Sequence, residues 1–288
     1  MKPAPFAYRR AGTLDEAVAA LAVAGPDDDV RVMAGGQSLG PMLNLRLVRP
    51  TLLVDIHRIE ALRTIEALPD GGVRIGACVT HAALEDLPAD SAMPQGLAAV
   101  LRHVGGGIAY RAIRCRGTVG GSLAHADPAA DWPCAFAALG ATLELAGPGG
   151  LRRVAARDFF RGLFETALEP GEVVASVLLP GTAIRGWGYR KHCRKTGEFA
   201  HAMAACIDRA DVPFEAWIGA TGGAPAAIPL DRAAVAAIGG SPAARRAALR
   251  EHIAAVLPGW IAPGDAYARH LHAQVAAEAV IDALADTR

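Results

Sequence analysis

The 288-residue chain has no net charge, because Lys plus Arg and Asp plus Glu each number 29. Without a surplus of either sign, no long-range field draws it onto nucleic acid or an anionic membrane surface, so no nucleic-acid partner is expected. No segment reaches the roughly 18 uncharged apolar residues of a spanning helix, and no membrane insertion is expected. The opening Met1-Lys2-Pro3-Ala4-Pro5-Phe6 lacks the apolar stretch of a signal peptide, which points to a cytoplasmic protein. Cysteine is scarce and scattered. Cys78, Cys115, Cys134, Cys193 and Cys206 form no C-x-x-C pair, which argues against a disulfide framework, a structural zinc site or an iron–sulfur cluster within the chain. Two nucleotide-binding signatures are also missing: there is neither a G-x-G-x-x-G turn nor a G-x-x-x-x-G-K-[ST] loop.

The length suits two or three compact subdomains. Thr13 followed by Glu16 and apolar residues at helical spacing predicts a capped first helix. A turn over 25–29 then leads into a strand, 30–34, that runs into Gly35-Gly36. Strands are expected at 51–56, 72–77 and 172–180, a hairpin around 147–150, and helices at 80–85, 95–104 and 133–139. Beyond Gly181 three further strands, at 186–194, 201–209 and 215–221, precede alanine-rich helices at 243–256 and 267–285. The pattern is α+β, with a boundary near residue 180.

Two stretches carry special residues. In Ala34-Gly35-Gly36-Gln37-Ser38-Leu39, glycines at a strand end let backbone N–H groups approach a phosphate with no Cβ in the way, and Ser38 adds a hydroxyl. Thr118-Val119-Gly120-Gly121-Ser122 repeats that chemistry, with Arg114 and Arg116 upstream. One Gly-Gly turn is ordinarily only a turn; two such loops facing each other suit the two linked anionic groups of a pyrophosphate. In the following His125-Ala126-Asp127-Pro128-Ala129-Ala130-Asp131, Asp127 and Asp131 suit three roles: capping a helix, ligating a metal, or contacting a ribose or flavin ring edge.

These two stretches, together with Lys191-His192-Cys193-Arg194-Lys195-Thr196-Gly197-Glu198-Phe199-Ala200, closely resemble the FAD-binding medium subunit of the molybdenum hydroxylases, the xanthine dehydrogenase and carbon monoxide dehydrogenase family. The resemblance runs over nearly the whole chain. It implies a two-subdomain FAD-binding fold of the PCMH, vanillyl-alcohol-oxidase-like type over 1–60 and 61–180, and a C-terminal α+β domain over 181–288 with a small antiparallel sheet and helices. Ala34, Gly35, Gly36, Gln37, Ser38 and Leu39, with Thr118, Gly120, Gly121 and Ser122, would wrap the FAD pyrophosphate. Asp127 and Asp131 would supply polar contacts, Asp131 to ribityl or ribose hydroxyls. Val174 would lie against the isoalloxazine through its backbone, and Lys191 would stand near the flavin pyrimidine edge.

The family implies a division of labour. A large subunit carries the molybdenum cofactor and hydroxylates the substrate, and a small subunit carries two two-iron clusters, the whole assembled as a dimer of heterotrimers. This chain would pass electrons through FAD to an external acceptor, with no acid, base or metal of its own. A free-standing FAD oxidase or reductase, and a scaffold that has lost the cofactor, are the competing readings.

Overall fold

The computed structural model describes residues 2–22, 25 and 28–285, so the turn expected over 25–29 lies partly outside the described residues. The chain opens with strand β1 (Ala7–Arg10), helix α1 (Leu14–Ala22), β2 (Val30–Met33), α2 (Leu39–Asn44) and β3 (Leu52–Asp55). The three strands form a parallel sheet in the order β1-β3-β2. Helix α1 starts where predicted because the Thr13 hydroxyl accepts from Glu16 N at 3.1 Å. Its buried Ala17 and Ala20 share a small core with Val54 and Ile56. Strand β1 escapes sequence reading because all four of its residues are exposed, which erases the alternation that marks a strand.

The middle region contains β4 (Ile65–Ala67), β5 (Val73–Gly76), α3 (His81–Glu85), α4 (Leu97–Gly106), α5 (Arg111–Arg114), α6 (Val119–His125) and α7 (Asp131–Ala138). It continues through β6 (Thr142–Gly147), β7 (Gly150–Ala155), α8 (Ala156–Phe159), β8 (Phe160–Gly162), β9 (Glu165–Thr166) and β10 (Val173–Leu179). Its main sheet is antiparallel, in the order β4-β5-β10-β6-β7. Strand β10 is an almost unbroken apolar run because both faces are covered. Val173 and Ala175 pack into the N-terminal core, and Val174, Val177 and Leu179 into the larger central one.

The remaining chain forms a four-stranded antiparallel sheet of β11 (Ile184–His192), β12 (Ala202–Arg209), β13 (Glu215–Gly219) and β14 (Ala226–Pro229). Helices α9 (Arg232–Ala236), α10 (Pro242–Val256) and α11 (Ala266–Leu284) follow. All eight residues of β12 are buried. Met203, Ala205 and Ile207 join the central core with α7, while Ala202, Ala204 and Cys206 face α11. Strand β11 follows the same period of two. Trp187 and Tyr189 turn toward the central core, and Gly186 and Gly188 take the α11 face, where an added Cβ would lie 2.0 Å from the Ala283 and Ala279 carbonyl oxygens respectively.

Candidate cofactor site

The first glycine turn leaves β2 at its carboxyl end. Gly36 adopts a left-handed φ of 70°, and Gly40 N and Met42 N donate to the Gly36 and Ser38 carbonyls at 2.9 and 3.2 Å, which starts α2. Among the described residues, the backbone amides of Ala34, Gly35, Gly36, Gln37, Ser38 and Leu39 find no protein acceptor. Ser38, at the N-cap of α2, also makes no side-chain capping bond. Gln37 turns back on its own loop, donating from Nε2 to the Gly35 carbonyl at 3.1 Å. The amides of Gln37, Ser38 and Leu39 are the donors that a helix start leaves without an intrahelical acceptor, since the first helical bond is Gly40 N to Gly36 O. Together the six are a cradle of donors open to an anion with several acceptor oxygens.

The second motif meets the first directly. A Cβ on Gly35 would lie 2.1 Å from the Arg116 carbonyl oxygen and 2.9 Å from Gly117 Cα, and one on Gly121 would lie 3.7 Å from Ala34 Cβ. The two turns therefore share one surface, with backbone against backbone where Gly35 sits.

The second turn differs from its sequence reading in one respect. It is the start of α6, and its amides are committed to the protein rather than presented as a second N–H nest. Val119 N donates to Val79 O at 3.0 Å, Gly120 N to Ala77 O at 2.8 Å, and Ser122 N to Thr118 O at 3.0 Å. Gly121 N donates to the Thr118 hydroxyl at 3.2 Å. The reason is tertiary: a Cβ on Gly120 would come within 2.4 Å of Ala77 Cβ, so this glycine lets α6 press onto the turn after β5. The Thr118 hydroxyl caps α6 in a residue only 2% exposed, and the Ser122 hydroxyl has no protein partner among the described residues; both lie at the N-terminal end of α6, which meets the first turn at Gly121.

Ala77 also connects the cradle to the sheet, since its amide donates to the Ala175 carbonyl at 2.9 Å, inside the bulge between Val174 and Ser176. Val174 is buried in β10, its side chain in the central core, so its backbone rather than its side chain is the part near this junction.

Asp127 accepts from Ala129 N at 2.9 Å and so fixes the Pro128 turn, while Ala130, with no side-chain bond, is the N-cap of α7. Asp131 is 4% exposed. It accepts from Tyr189 Oη at 2.7 Å and from Lys191 Nζ at 3.0 and 3.1 Å, so protein donors reach both carboxylate oxygens. Lys191 Nζ also lies 3.4 Å from the Gly107 carbonyl oxygen. Burial pushes the Asp131 carboxyl upward, against the pull of Lys191 and Tyr189, and drives the Tyr189 phenol well above its ordinary range. Tyr189 was not foreseen from the sequence; its signal is the two-residue spacing from Lys191 on one face of β11. His125 packs its ring on Phe164 at 5.0 Å, and among the described residues no His, Cys, Asp and Glu group is arranged to hold a metal.

The donor set suits a diphosphate, and the comparison with known proteins says which one. Residues 4–182 match the family described as the FAD binding domain in molybdopterin dehydrogenase. The chain belongs to that family. It is 40% identical over 210 residues to the carbon monoxide dehydrogenase medium chain of Afipia carboxidovorans, covering 72% of this chain and 70% of that one. It is 35% identical over 207 residues to the nicotine 6-hydroxylase medium subunit of Paenarthrobacter nicotinovorans, again covering 72% and 70%. The whole fold is shared: reconstituted CO dehydrogenase from Oligotropha carboxidovorans superposes with a TM-score of 0.84 at 31% identity, covering 99% of this chain and all of that one. The architecture is thus an FAD-binding PCMH-type fold with a C-terminal domain, the cofactor is FAD, and the chain is an oxidoreductase component.

Proposed function

We propose that this chain is the FAD-binding medium subunit of a heterotrimeric molybdenum hydroxylase, carrying electrons from a partner's iron–sulfur clusters to an external acceptor. The observation that carries the reading is the run of six uncommitted amides at 34–39, closed on one side by the Arg116-Gly117 backbone. The relatives named above are themselves medium subunits, which favours a subunit over a free-standing oxidase. In this reading the substrate is hydroxylated in a large subunit that carries the molybdenum cofactor. A small subunit with two two-iron clusters feeds this chain, in a cytoplasmic dimer of heterotrimers. Bound FAD supplies the exchange between one-electron carriers and a two-electron acceptor.

The residues divide the work of holding it. Amides of Ala34, Gly35, Gly36, Gln37, Ser38 and Leu39 bind the pyrophosphate, and Thr118 and Ser122 add hydroxyls. Gly120 and Gly121 contribute by their lack of side chains rather than by their amides. The Val174 backbone borders the ring, and Asp127 shapes the turn leading to Asp131. Asp131 holds the Lys191 ammonium in place, and that ammonium stabilises negative charge on the ring system. The units 1–60, 61–180 and 181–288 act as two cofactor-binding subdomains and a C-terminal domain.

Co-expression with its two partner genes tests this. The expected result is a complex with one flavin per copy of this chain and an isolated chain that binds FAD but turns over no substrate. A flavin-free complex, or substrate oxidation by the isolated chain, would overturn it.

A further inference from the structure

Beside the amide cradle lies a second, unassigned cavity. It has a volume of about 560 Å3 and is lined by Gly12, His57, Arg58, Glu60, Arg63 and Arg116. Gly12 follows β1 and His57 follows β3, so the cavity opens at the same carboxyl edge of the parallel sheet as the 34–39 turn. The two sites touch through backbone: Ile56 N donates to Met33 O at 3.0 Å, and the Arg116 carbonyl lies against Gly35.

The charges here are clustered on one concave surface. Arg111 and Arg114 are both tied to Glu85. The side chains of Arg58, Arg63 and Arg116 have no hydrogen bond or carboxylate partner among the described residues. Glu60 is the one acid in the lining; Asp55, just behind His57, is engaged by Tyr8 Oη and His57 N. His57 Nδ1 is buried without a partner. Burial, followed by Arg116 and Arg63, holds the His57 imidazole below its ordinary pKa, with Arg58 acting the same way and Asp55 opposing. Three unpaired guanidiniums around a concave space suit an oxyanion with several acceptors, and the volume suits a nucleotide-sized ligand.

We propose that this cavity binds a phosphate group through Arg58, Arg63 and Arg116, separately from the amide cradle. The ligand is a free nucleotide, since both phosphates of FAD belong to the cradle at 34–39. The inference rests on the FAD reading only in treating the 34–39 cradle as the cofactor's own site.

The test is calorimetric titration of the full chain, freed of FAD and loaded with FAD, using AMP with adenosine as the uncharged control. In the FAD-free protein, AMP binding should weaken at least tenfold in Arg58→Gln/Arg63→Gln and fall with added salt, and adenosine should not bind. AMP binding should persist in the FAD-loaded protein, and its loss on loading would overturn the proposal. A second measurement uses sulfate, which does not titrate in this range. Neutralising the arginines should let His57 take up a proton, so sulfate should bind more tightly at acidic than at alkaline pH, and His57→Asn should remove the difference. An arginine double variant that binds AMP as the parent does, or equal binding of adenosine and AMP, would overturn the proposal. The FAD-free arm remains readable even if FAD binding itself fails.

Discussion

Replacing Gly35 by Ala adds one methyl group at the point where the two turns meet. That carbon would stand 2.1 Å from the Arg116 carbonyl oxygen, 2.8 Å from its carbonyl carbon and 2.9 Å from Gly117 Cα. Backbone atoms cannot rotate away as a side chain does, so the turns must part by about 1 Å to restore ordinary contact. No left-handed backbone complicates this change, unlike Gly36→Val, where a φ of 70° adds strain. Overpacking of this kind typically costs about 1–3 kcal/mol of stability, which a domain of this size tolerates. The larger effect falls on the ligand. A hydrogen bond to a charged group contributes about 1.5–3 kcal/mol, so misaligning two of the six cradle amides costs about 3–6 kcal/mol of binding. That weakens FAD affinity by roughly a hundred- to ten-thousand-fold. Titration of FAD-free protein, followed by flavin fluorescence, measures it. Gly40→Ala is the control, since nothing lies within 4 Å of its added carbon, and it should bind FAD as the parent does. A folded Gly35→Ala protein with parental FAD affinity would refute the shared cradle.

His81 gives a pH prediction. Its Nδ1 accepts from Trp132 Nε1 at 3.0 Å, and burial, then Arg114, holds the imidazole down to about 4 from 6.5. The native state therefore resists a proton that the unfolded chain accepts, so stability is present above the unfolded pKa and declines as pH falls below it. About 2 kcal/mol should be lost between about pH 7.5 and about pH 5, seen in urea midpoints, and His81→Gln should remove that part of the slope. At the buried pair, Lys191→Met leaves Asp131 without its cation and should cost roughly 3–5 kcal/mol, while Asp131→Asn/Lys191→Met should recover a large part. Additive losses in that double-mutant cycle would remove the pair from the account.

The sequence revealed what local chemistry decides. Thr13 and Thr80 cap the helices they precede, and the loop of Pro148 and Gly149 sits between paired Gly147 and Gly150. The meeting of the Gly35 and Gly120 turns was also legible, through motif resemblance. What those turns do with their hydrogens was not, because the commitment of Gly120 N to Ala77 O joins residues far apart in the chain. The same limit hid Tyr189, whose partner Asp131 lies 58 positions away, and the gathering of Arg58, Arg63 and Arg116 at one cavity. Charge counting could not find that cavity, since the totals balance.

Strand β11 carries a consequence beyond its own sheet. Its odd positions, Tyr189 and Lys191, reach Asp131, and its even positions seat Gly186, Gly188 and Arg190 on α11, where Arg190 Nε lies 2.6 Å from Asp282 Oδ2. With no side chain between Gly188 and the Ala279 backbone, there is no soft layer to absorb a shift of the helix. Shortening the last helix, or fusing a bulky tag that tugs on it, would thus be transmitted through one strand to the ammonium on its opposite side.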